Sequence, residues 1–599
     1  MRELEYPFDG QLLMRKRRSL KRALLEKGSL IEKRIAILGG STTRDIRDLL
    51  ELFLLNYGIR PVFYESDYAQ YWQDAMFGAP EPDGRAPDII FIHTSNRNIT
   101  EWPRPEDTAG QCEERLEKQF AHFTVMWQKL SERYGSPIIQ NNFEYPFYRL
   151  MGNMDASDHR GRVNFVTRLN LKFADYAREH EGFYINDINY QSADFGLKEW
   201  SDPFYWHMYK YALSTDAIPT LAFNVANIIK SIFGKNKKAL ALDLDNTLWG
   251  GVVGEDGPES IEIGQDTPGG QVYSEFQQYL KDLKDRGILL NVISKNDPDN
   301  AEAGLRHPQS VLKPEDFIEI CANWEPKSAN LIRMADKLSL LPESFVFVDD
   351  NPAEREIIRR QVPGAGVPEV EKPEQFITAI DRAGYFETTT LSKDDLQRVR
   401  MYRQNLERQS LMESFSDYRD YLLSLEMKAE IRPFSPVYMA RIAQLTNKTN
   451  QFNLTTERYS QEEIERIAAD DSFITLYGKL TDRFGDNGVV ALTIGKVSGT
   501  TLDITLWLMS CRVLKRDMEY AMMDELLLEC GRRGITTVNG SYRPTAKNAM
   551  VKDFYGEMGF TKVSEDSEGN TLWTLDLTKE YEPKNQTITI IREDENDAG

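Results

Sequence analysis

The stretch LDLDNTLWGG, from Leu242 to Gly251, sets two aspartates two positions apart and then a threonine at the end of an apolar run. ALALDLD reads as a strand with Asp243 as the last strand residue and Asp245 two further on. The chain leaving a strand end curls, so the carboxylates of Asp243 and Asp245 are expected to face one cavity. That pair suits phosphoryl transfer. One carboxylate attacks phosphorus and forms an aspartyl-phosphate, while the other protonates the leaving oxygen and then activates the hydrolytic water. Two carboxylates repel a phosphate, so Mg²⁺ and a cation are needed beside them.

Later strand ends supply those helpers. NVISKND puts Ser294 after the second strand, where a hydroxyl can hold a phosphate oxygen, with Asn296 close behind. ANWEPKSAN puts Lys327 before a helix, and FVFVDDNPAERE puts Asp349 and Asp350 after another strand. Strand–helix alternation through ALALDLD, QVYSEFQQYLKDLKDRG, ILLNVIS and SFVFVDD predicts a doubly wound α/β fold, whose ligands sit at the carboxyl ends of the strands.

The flanks predict further domains, as 599 residues require. Before the aspartate pair, KRIAILGGSTTRDIRDLLELFLLNYG, RPVFYES, PDIIFIHTSN and SPIIQNNFE read as buried strands separated by helices, which indicates a parallel sheet. A polar helical connector is expected over 386–428. Beyond it, FITLYGKL, NGVVALTIGKVSG and TLDITLWLMSCRV alternate like strands, MEYAMMDELLLECGRRG and NAMVKDFYGEM read as helices, and ITTVNGSY as a strand between them, an α+β pattern. The expected divisions are 1–232, 233–385, 386–428, 429–580 and an acidic tail over 581–599.

Composition narrows the function classes. The formal charge is −21, which argues against nucleic acid as the main partner. Four cysteines make no disulfide framework, and a reducing cytoplasm fits them best. No apolar run is long enough to span a membrane, and the start of the sequence has no signal-peptide core. LLMRKRRSLKRALLE reads either as a membrane-surface helix or as a solvated helix packed on its own domain.

The four motifs around Asp243, Ser294, Lys327 and Asp349, in this order, resemble those of the haloacid dehalogenase (HAD) superfamily. The wording DLDNTLWGGVVGEDG, ISKNDP, NWEPKSANL and FVDDNPAERE is similar to the FkbH-like group. The resemblance implies a multidomain chain: a flavodoxin/SGNH-like parallel sheet, a HAD-like Rossmannoid domain, and a GNAT-like α+β domain. It implies that Asp243 is the nucleophile, Asp245 the general acid/base and Lys327 the neutralising cation. Asp243, Asp245, Asp349 and Asp350 would surround Mg²⁺, with Ser294, Thr247 and Asn296 on the substrate side. Only a Gly-rich segment and one helix fill the interval from Asp243 to Ser294, too little for a large cap domain. In the FkbH-like group such a domain handles 1,3-bisphosphoglycerate and delivers a glyceryl unit to an acyl carrier protein.

LTNKTNQFNLTT, DRFGDNGVV, WLMSCRVL and YRPTAKNAMVKDFYGEMGF resemble the second half of the same group, which is similar to GNAT acyltransferases. There a cysteine tethers the glyceryl unit, and Cys511 is the matching position. Arg512, Lys515 and Arg516 follow it, with a helix start close by, a setting that favours a thiolate. A thioester at Cys511 could then pass to a phosphopantetheine thiol. GNAT proteins carry glycines at the following helix start, whereas RVLKRD has Lys515 and Asp517, which puts tight coenzyme A binding in doubt. The amides of TNKTNQFN and an Arg483–Asp482 pair either line the acyl site or serve as turns and caps, and Cys321 and Cys530 read as structural. AILGGSTT resembles an SGNH nucleophile block at Ser41, with Asp202 and His207 as partial matches for its acid and base. Two other functions stay open on the residues: a plain Mg²⁺-dependent phosphatase, and a non-catalytic scaffold.

Overall fold

A computed structural model describes residues 1–26, 30–449, 451–545 and 547–592. The residues EDENDAG, expected to be disordered, lie outside this range. The chain divides into two compact units, residues 1–232 and 233–599.

In the first unit, β1 (Ile31–Gly39), β2 (Ile59–Glu65), β3 (Ile89–His93), β4 (Ile138–Asn141) and β5 (Phe183–Asn186) form one parallel sheet in the order β2-β1-β3-β4-β5. All five residues of β3 and all four of β4 are buried, as expected of parallel strands covered on both faces. The register aligns Gly39 with His93 and Asn141 with Asn186, so these residues end their strands at one edge. β5 was not expected, because FYIN is only half buried and lacks an apolar run. The basic Gly10–Leu25 helix buries Leu13, Leu20 and Leu24. It pairs Arg17 with Asp45 and Lys21 with Glu51, on the Arg44–Asn56 helix. It is a surface helix of its own domain.

The second unit opens with a parallel sheet of order β8-β7-β6-β9, from β6 (Ala239–Leu242), β7 (Leu289–Ser294), β8 (Glu319–Ala322) and β9 (Phe345–Val348). The side chains of β6 and β9 are fully buried. At about 1.5–3 kcal/mol for each large apolar side chain, this burial fixes which residues emerge at the sheet edge. Leu242 pairs with both Val292 and Val348. Asp243 is therefore the first residue beyond β6 rather than its last, and Asp349 the first beyond β9. Ser294 closes β7 instead of following it. β8 escaped notice because EICA carries a charge and a thiol among its four residues.

The rest of this unit is a larger, mostly antiparallel sheet. It comprises β10 (Lys428–Arg432), β11 (Phe452–Asn453), β12 (Phe473–Asp482), β13 (Gly485–Ser498), β14 (Thr501–Met509), β15 (Thr537–Tyr542), β16 (Thr561–Glu565), β17 (Thr571–Asp576) and β18 (Thr589–Ile590). The path is β16-β17-β15-β14-β13-β12-β10-β18, with β11 on β14. β14 runs parallel to β15 over Thr501–Ile504 and then leaves it, and β11 borders its far end. That far end leads directly into Cys511. The fold class expected from the sequence holds. Two details differ. NAMVKDFYGEM forms only a 3₁₀ turn, Ala549–Val551, and one helical turn, Phe554–Glu557, not one helix. The expected tail contributes β18, which pairs with β10.

Candidate active site

Asp243, Asp349 and Asp350 meet beyond β6 and β9, with one carboxylate oxygen of each within 4.8 Å of the others. Lys327, first residue of the Lys327–Lys337 helix, reaches into this group. Its ammonium lies 2.7 Å from Asp243 Oδ2 and 2.7 Å from Asp349 Oδ2. Burial alone would pull the Lys327 pKa down, but Asp243 and Asp349 overcome it and hold the ammonium charged. Asp349 is pushed up to about 6, by burial first and then by Asp243. Asp350 is raised for the same two reasons. Three carboxylates face one ammonium, so the group lacks positive charge. An all-oxygen donor set of this kind fits a hard cation such as Mg²⁺.

Asp245 is placed differently from the expectation that made it a metal ligand. Its Oδ1 accepts from Trp249 Nε1 (2.9 Å) and from the Val253 N–H (3.0 Å), and its Oδ2 accepts from Asn296 Nδ2 (3.0 Å). The carboxylate is committed to these donors and stands outside the three-carboxylate group. Asn246 between the two aspartates takes a left-handed φ of 55°, which asparagine tolerates, and this makes the curl. Burial raises the Asp245 pKa, a direction that suits a general acid.

The substrate-side residues divide. Ser294 is buried at the end of β7 and its hydroxyl has no partner among the described residues, so it remains open to a ligand oxygen. Thr247 is fully buried and its Oγ1 accepts from the Asp350 N–H at 3.2 Å. Asn296 holds Asp245 and accepts from the Asp297 N–H. Thr247 and Asn296 are thus positioning residues, not substrate contacts.

Trp249 was not singled out in the sequence, although LWGG contains it. The ring is fully buried. A Cβ at Gly304 would stand 2.7 Å from it, so only glycine allows the contact. Trp249→Phe keeps an aromatic ring at the site but removes the N–H on Asp245, which leaves that carboxylate under-bonded. The expected result is a loss of kcat of about tenfold with KM little changed, since one such hydrogen bond is worth roughly 1–3 kcal/mol.

Cys511 opens a short 3₁₀ turn, Cys511–Val513, and is partly exposed. The Met518–Arg532 helix starts seven residues on, with Asp517 before it. The basic neighbours in sequence point elsewhere. Arg512 binds Ser510, Met401 and Asp394. Arg516 binds Asp482, Asn487 and Asn405. Lys515 is exposed. Lys515 and Asp517 take φ of 62° and 60°, so the backbone keeps a shape natural to glycine without the glycines. The expected Arg483–Asp482 pair does not form. Asp482 is buried against Arg408 and Arg516, and Arg483 bonds the Ser424 carbonyl. Asn447 and Asn453 bond nearby backbone groups, as turn residues do. Cys530 is a core residue whose thiol burial pushes up to about 12, and Cys321 accepts from Asn323 Nδ2. All four cysteines are free.

The FkbH N-terminal domain family matches residues 34–230. The N-terminal part of the protein BF1531 from Bacteroides fragilis contains a phosphatase domain and was crystallised with Mg. It is 29% identical, with a TM-score of 0.58, over 62% of this chain and 99% of that one. Residues 34–230 are thus similar to the FkbH N-terminal domain family, and a larger part of the chain to the BF1531 fragment. Two acetyltransferases align with smaller parts of this chain. The ribosomal-protein-S18-alanine N-acetyltransferase from Escherichia coli has 14% identity and a TM-score of 0.21 over 26% of this chain and 99% of its own. Ard1 from Thermoplasma volcanium has 22% identity and a TM-score of 0.20 over 25% of this chain and 97% of its own. No curated protein matches the chain. Among the described residues no helix is long and apolar enough to cross a membrane.

In the first unit, Ser41 does not meet His207. His207 is exposed on the Pro203–Tyr209 helix, and Asp202 caps that helix through the Phe204 N–H. The partner of Ser41 is His93, whose Nε2 lies 3.0 Å from Ser41 Oγ. His93 is fully buried, and burial lowers its pKa to about 4, so the ring is neutral. Its Nδ1 faces the Asn141 amide nitrogen at 2.9 Å. That amide group also donates to the Thr94 carbonyl, while Asn141 Oδ1 accepts from Asn186. Nδ1 is therefore the acceptor, and the ring proton sits on Nε2, pointing at Ser41. A histidine in this tautomer cannot take the serine proton, so Ser41 is not activated for nucleophilic attack. The signal for His93 lay in PDIIFIHTSN, where it read only as a strand residue.

Nearby Glu144 is buried, and burial pushes its pKa up to about 8. The folded carboxyl stays protonated where the unfolded one ionises. Native stability is then full below the unfolded value of 4.5 and falls as pH rises towards 8. Glu144→Gln removes this dependence. Its stability relative to wild type is expected to grow by about 4 kcal/mol between pH 4.5 and 8, measured by hydrogen exchange of the β3 and β4 amides in the full chain.

Proposed function

We propose that this chain removes a phosphate at Asp243 and captures an acyl unit at Cys511. The substrate that fits both acts is 1,3-bisphosphoglycerate, and the acceptor is the phosphopantetheine thiol of an acyl carrier protein. The observation that carries the reading is the group of three carboxylates and Lys327 at the carboxyl end of the sheet, in one unit with Cys511.

Asp243 attacks the phosphorus of the 3-phosphate. The phosphorus–oxygen bond to the glyceryl carbon chain breaks as Asp245 gives its proton to the leaving oxygen. Asp245 then takes a proton from the water that hydrolyses the aspartyl-phosphate. Lys327 pairs with Asp243 and Asp349 and faces the incoming phosphate charge. Asp243, Asp349 and Asp350 would hold Mg²⁺, which supplies further positive charge against the phosphoryl group. Ser294 offers a hydroxyl to a phosphoryl oxygen.

At Cys511 the sulfur forms a bond to the acyl carbon, and the acyl–oxygen bond breaks to release the 1-phosphate. A carrier thiol then displaces Cys511 in a thioester exchange. The two centres lie at opposite ends of the phosphatase-like sheet. Lys238, on the Cys511 side, precedes Asp243 by five residues, about 16 Å of extended chain. One bound molecule does not touch both, so phosphate removal and acyl capture are separate events.

The test is intact-protein mass spectrometry after incubation with 1,3-bisphosphoglycerate, Mg²⁺ and an acyl carrier protein. The expected result is a glyceryl mass on the carrier. A glyceryl or phosphoglyceryl mass on neither protein would sink the reading.

A further inference from the structure

The amino ends of the strands in the phosphatase-like sheet gather cations that the chemistry at Asp243 does not use. Lys238 is fixed there because its N–H donates to the Ser344 carbonyl (2.8 Å) and its carbonyl accepts from the Leu289 N–H (3.0 Å). Next to Ser344, the Glu343 carboxylate pairs with Lys547 from the segment after β15. Arg398 bonds the Gly287 carbonyl at 3.0 Å, at the same edge. The Arg398–Met412 helix carries on to Met401 and Asn405, which bind the Arg512 guanidinium and carbonyl. The Cys511 turn is thereby held against this edge. Cys511 is close enough to Tyr402 on that helix that its charge, after burial, raises the phenol pKa.

The charges do not balance. The acids facing the cluster are already taken: Glu343 by Lys547, Asp394 by Arg441 and Arg512, and Asp395 by Arg398. Lys235 and Lys238 have no ion pair or side-chain hydrogen bond among the described residues. Burial, Lys547 and Arg458 push the Lys235 pKa down to about 8, with Glu343 acting the other way. Lys238 is lowered by burial and by Arg398, Arg512 and Lys547, with only Cys511 acting the other way. Lys235 and Lys238 are half-buried; a half-buried ammonium without an ion pair is under-satisfied, and an anion relieves it. A doubly charged oxyanion with several acceptor oxygens meets this need.

We infer that Lys235, Lys238 and Lys547 form a phosphate-binding site beside Cys511, distinct from the carboxylate centre at Asp243. Its role rests on the reading of Cys511 as the acyl-carrying residue. The phosphate has two sources of the same chemistry. One is the acyl phosphate, whose leaving oxygen takes the electron pair of the acyl–oxygen bond as Cys511 sulfur bonds the acyl carbon. The other is the phosphate of the phosphopantetheine thiol that later displaces Cys511.

The experiment follows the alkylation of Cys511 by iodoacetamide in the full chain, by peptide mass spectrometry, without Mg²⁺. Inorganic phosphate is expected to slow alkylation of the wild type about tenfold or more and to leave the Lys235→Met/Lys238→Met double variant unaffected. Phosphate-independent alkylation of the wild type overturns the proposal, as does equal protection of the double variant. The double variant is expected to melt no lower than wild type without phosphate, since it loses only unpaired cations. Lys547→Gln is the second variant, with the same expected loss of protection. Two further arms separate the sources. Slower loading of the double variant from 1,3-bisphosphoglycerate, but not from an N-acetylcysteamine thioester, assigns the site to the donor. Slower unloading to phosphopantetheine, but not to pantetheine, assigns it to the acceptor. No change in either arm overturns the catalytic role. If Cys511 accepts no acyl group from any donor while phosphate still protects it, the acyl-carrying reading fails and the phosphate site stands.

Discussion

Asp243→Asn is expected to abolish Mg²⁺-dependent phosphate release, by about 10⁴-fold or more, the scale of losing a nucleophile that acts with a partner acid. The amide keeps the shape of the side chain and can still bond Lys327, so the fold and the melting midpoint should change little. The loss is in kcat, because Ser294 and Lys327 remain to bind phosphate. Release of phosphate from p-nitrophenyl phosphate, compared between wild type and variant, checks it. Activity within tenfold of wild type would remove Asp243 from the chemistry and favour a scaffold.

Cys511→Ala separates the two centres. Carrier loading is expected to fall to background, while phosphate release from p-nitrophenyl phosphate stays within about twofold, as for distant sites that share no partner. The side chain is partly exposed and small, so its removal leaves no large cavity. Unchanged carrier loading would assign the acyl step elsewhere and leave a plain phosphatase in this unit. The committed side chains of Arg512 and Arg516 sharpen the point. The positive charge expected beside the thiol from its own sequence neighbours is spent on Asp394 and Asp482, and the unpaired charge of the proposed phosphate site is that of Lys235 and Lys238.

This contrast shows what the sequence reveals and what it hides. The candidate phosphate site was legible because its parts follow strands: Asp243, Ser294 and Asp349 after apolar runs and, before its helix, Lys327. The support beneath them was less visible. Trp249 and Asn296 act on Asp245 through side-chain hydrogen bonds across the fold, and no local pattern announces such bonds. Thr247 and Asn296 were read as substrate contacts because their spacing places them at the site but says nothing of which way they bond. The cations near Cys511 come from two segments about 310 residues apart, so only the folded chain brings them together. Strands without an apolar pattern escaped too. All of β16 is exposed, an edge strand that buries nothing on its own. His93 ended a well-marked strand, yet its bond to Ser41 and the proton direction through Asn141 are tertiary facts.

The central claim is that one chain removes phosphate at Asp243 and captures the acyl unit at Cys511, at separate places. The most direct measurement is the mass of the acyl carrier protein after reaction with 1,3-bisphosphoglycerate, Mg²⁺ and either wild type or Asp243→Asn. The account predicts a glyceryl group on the carrier with wild type, and the same group heavier by one phosphate with Asp243→Asn. A phosphate-free glyceryl group with both enzymes, or an unmodified carrier with both, would contradict it.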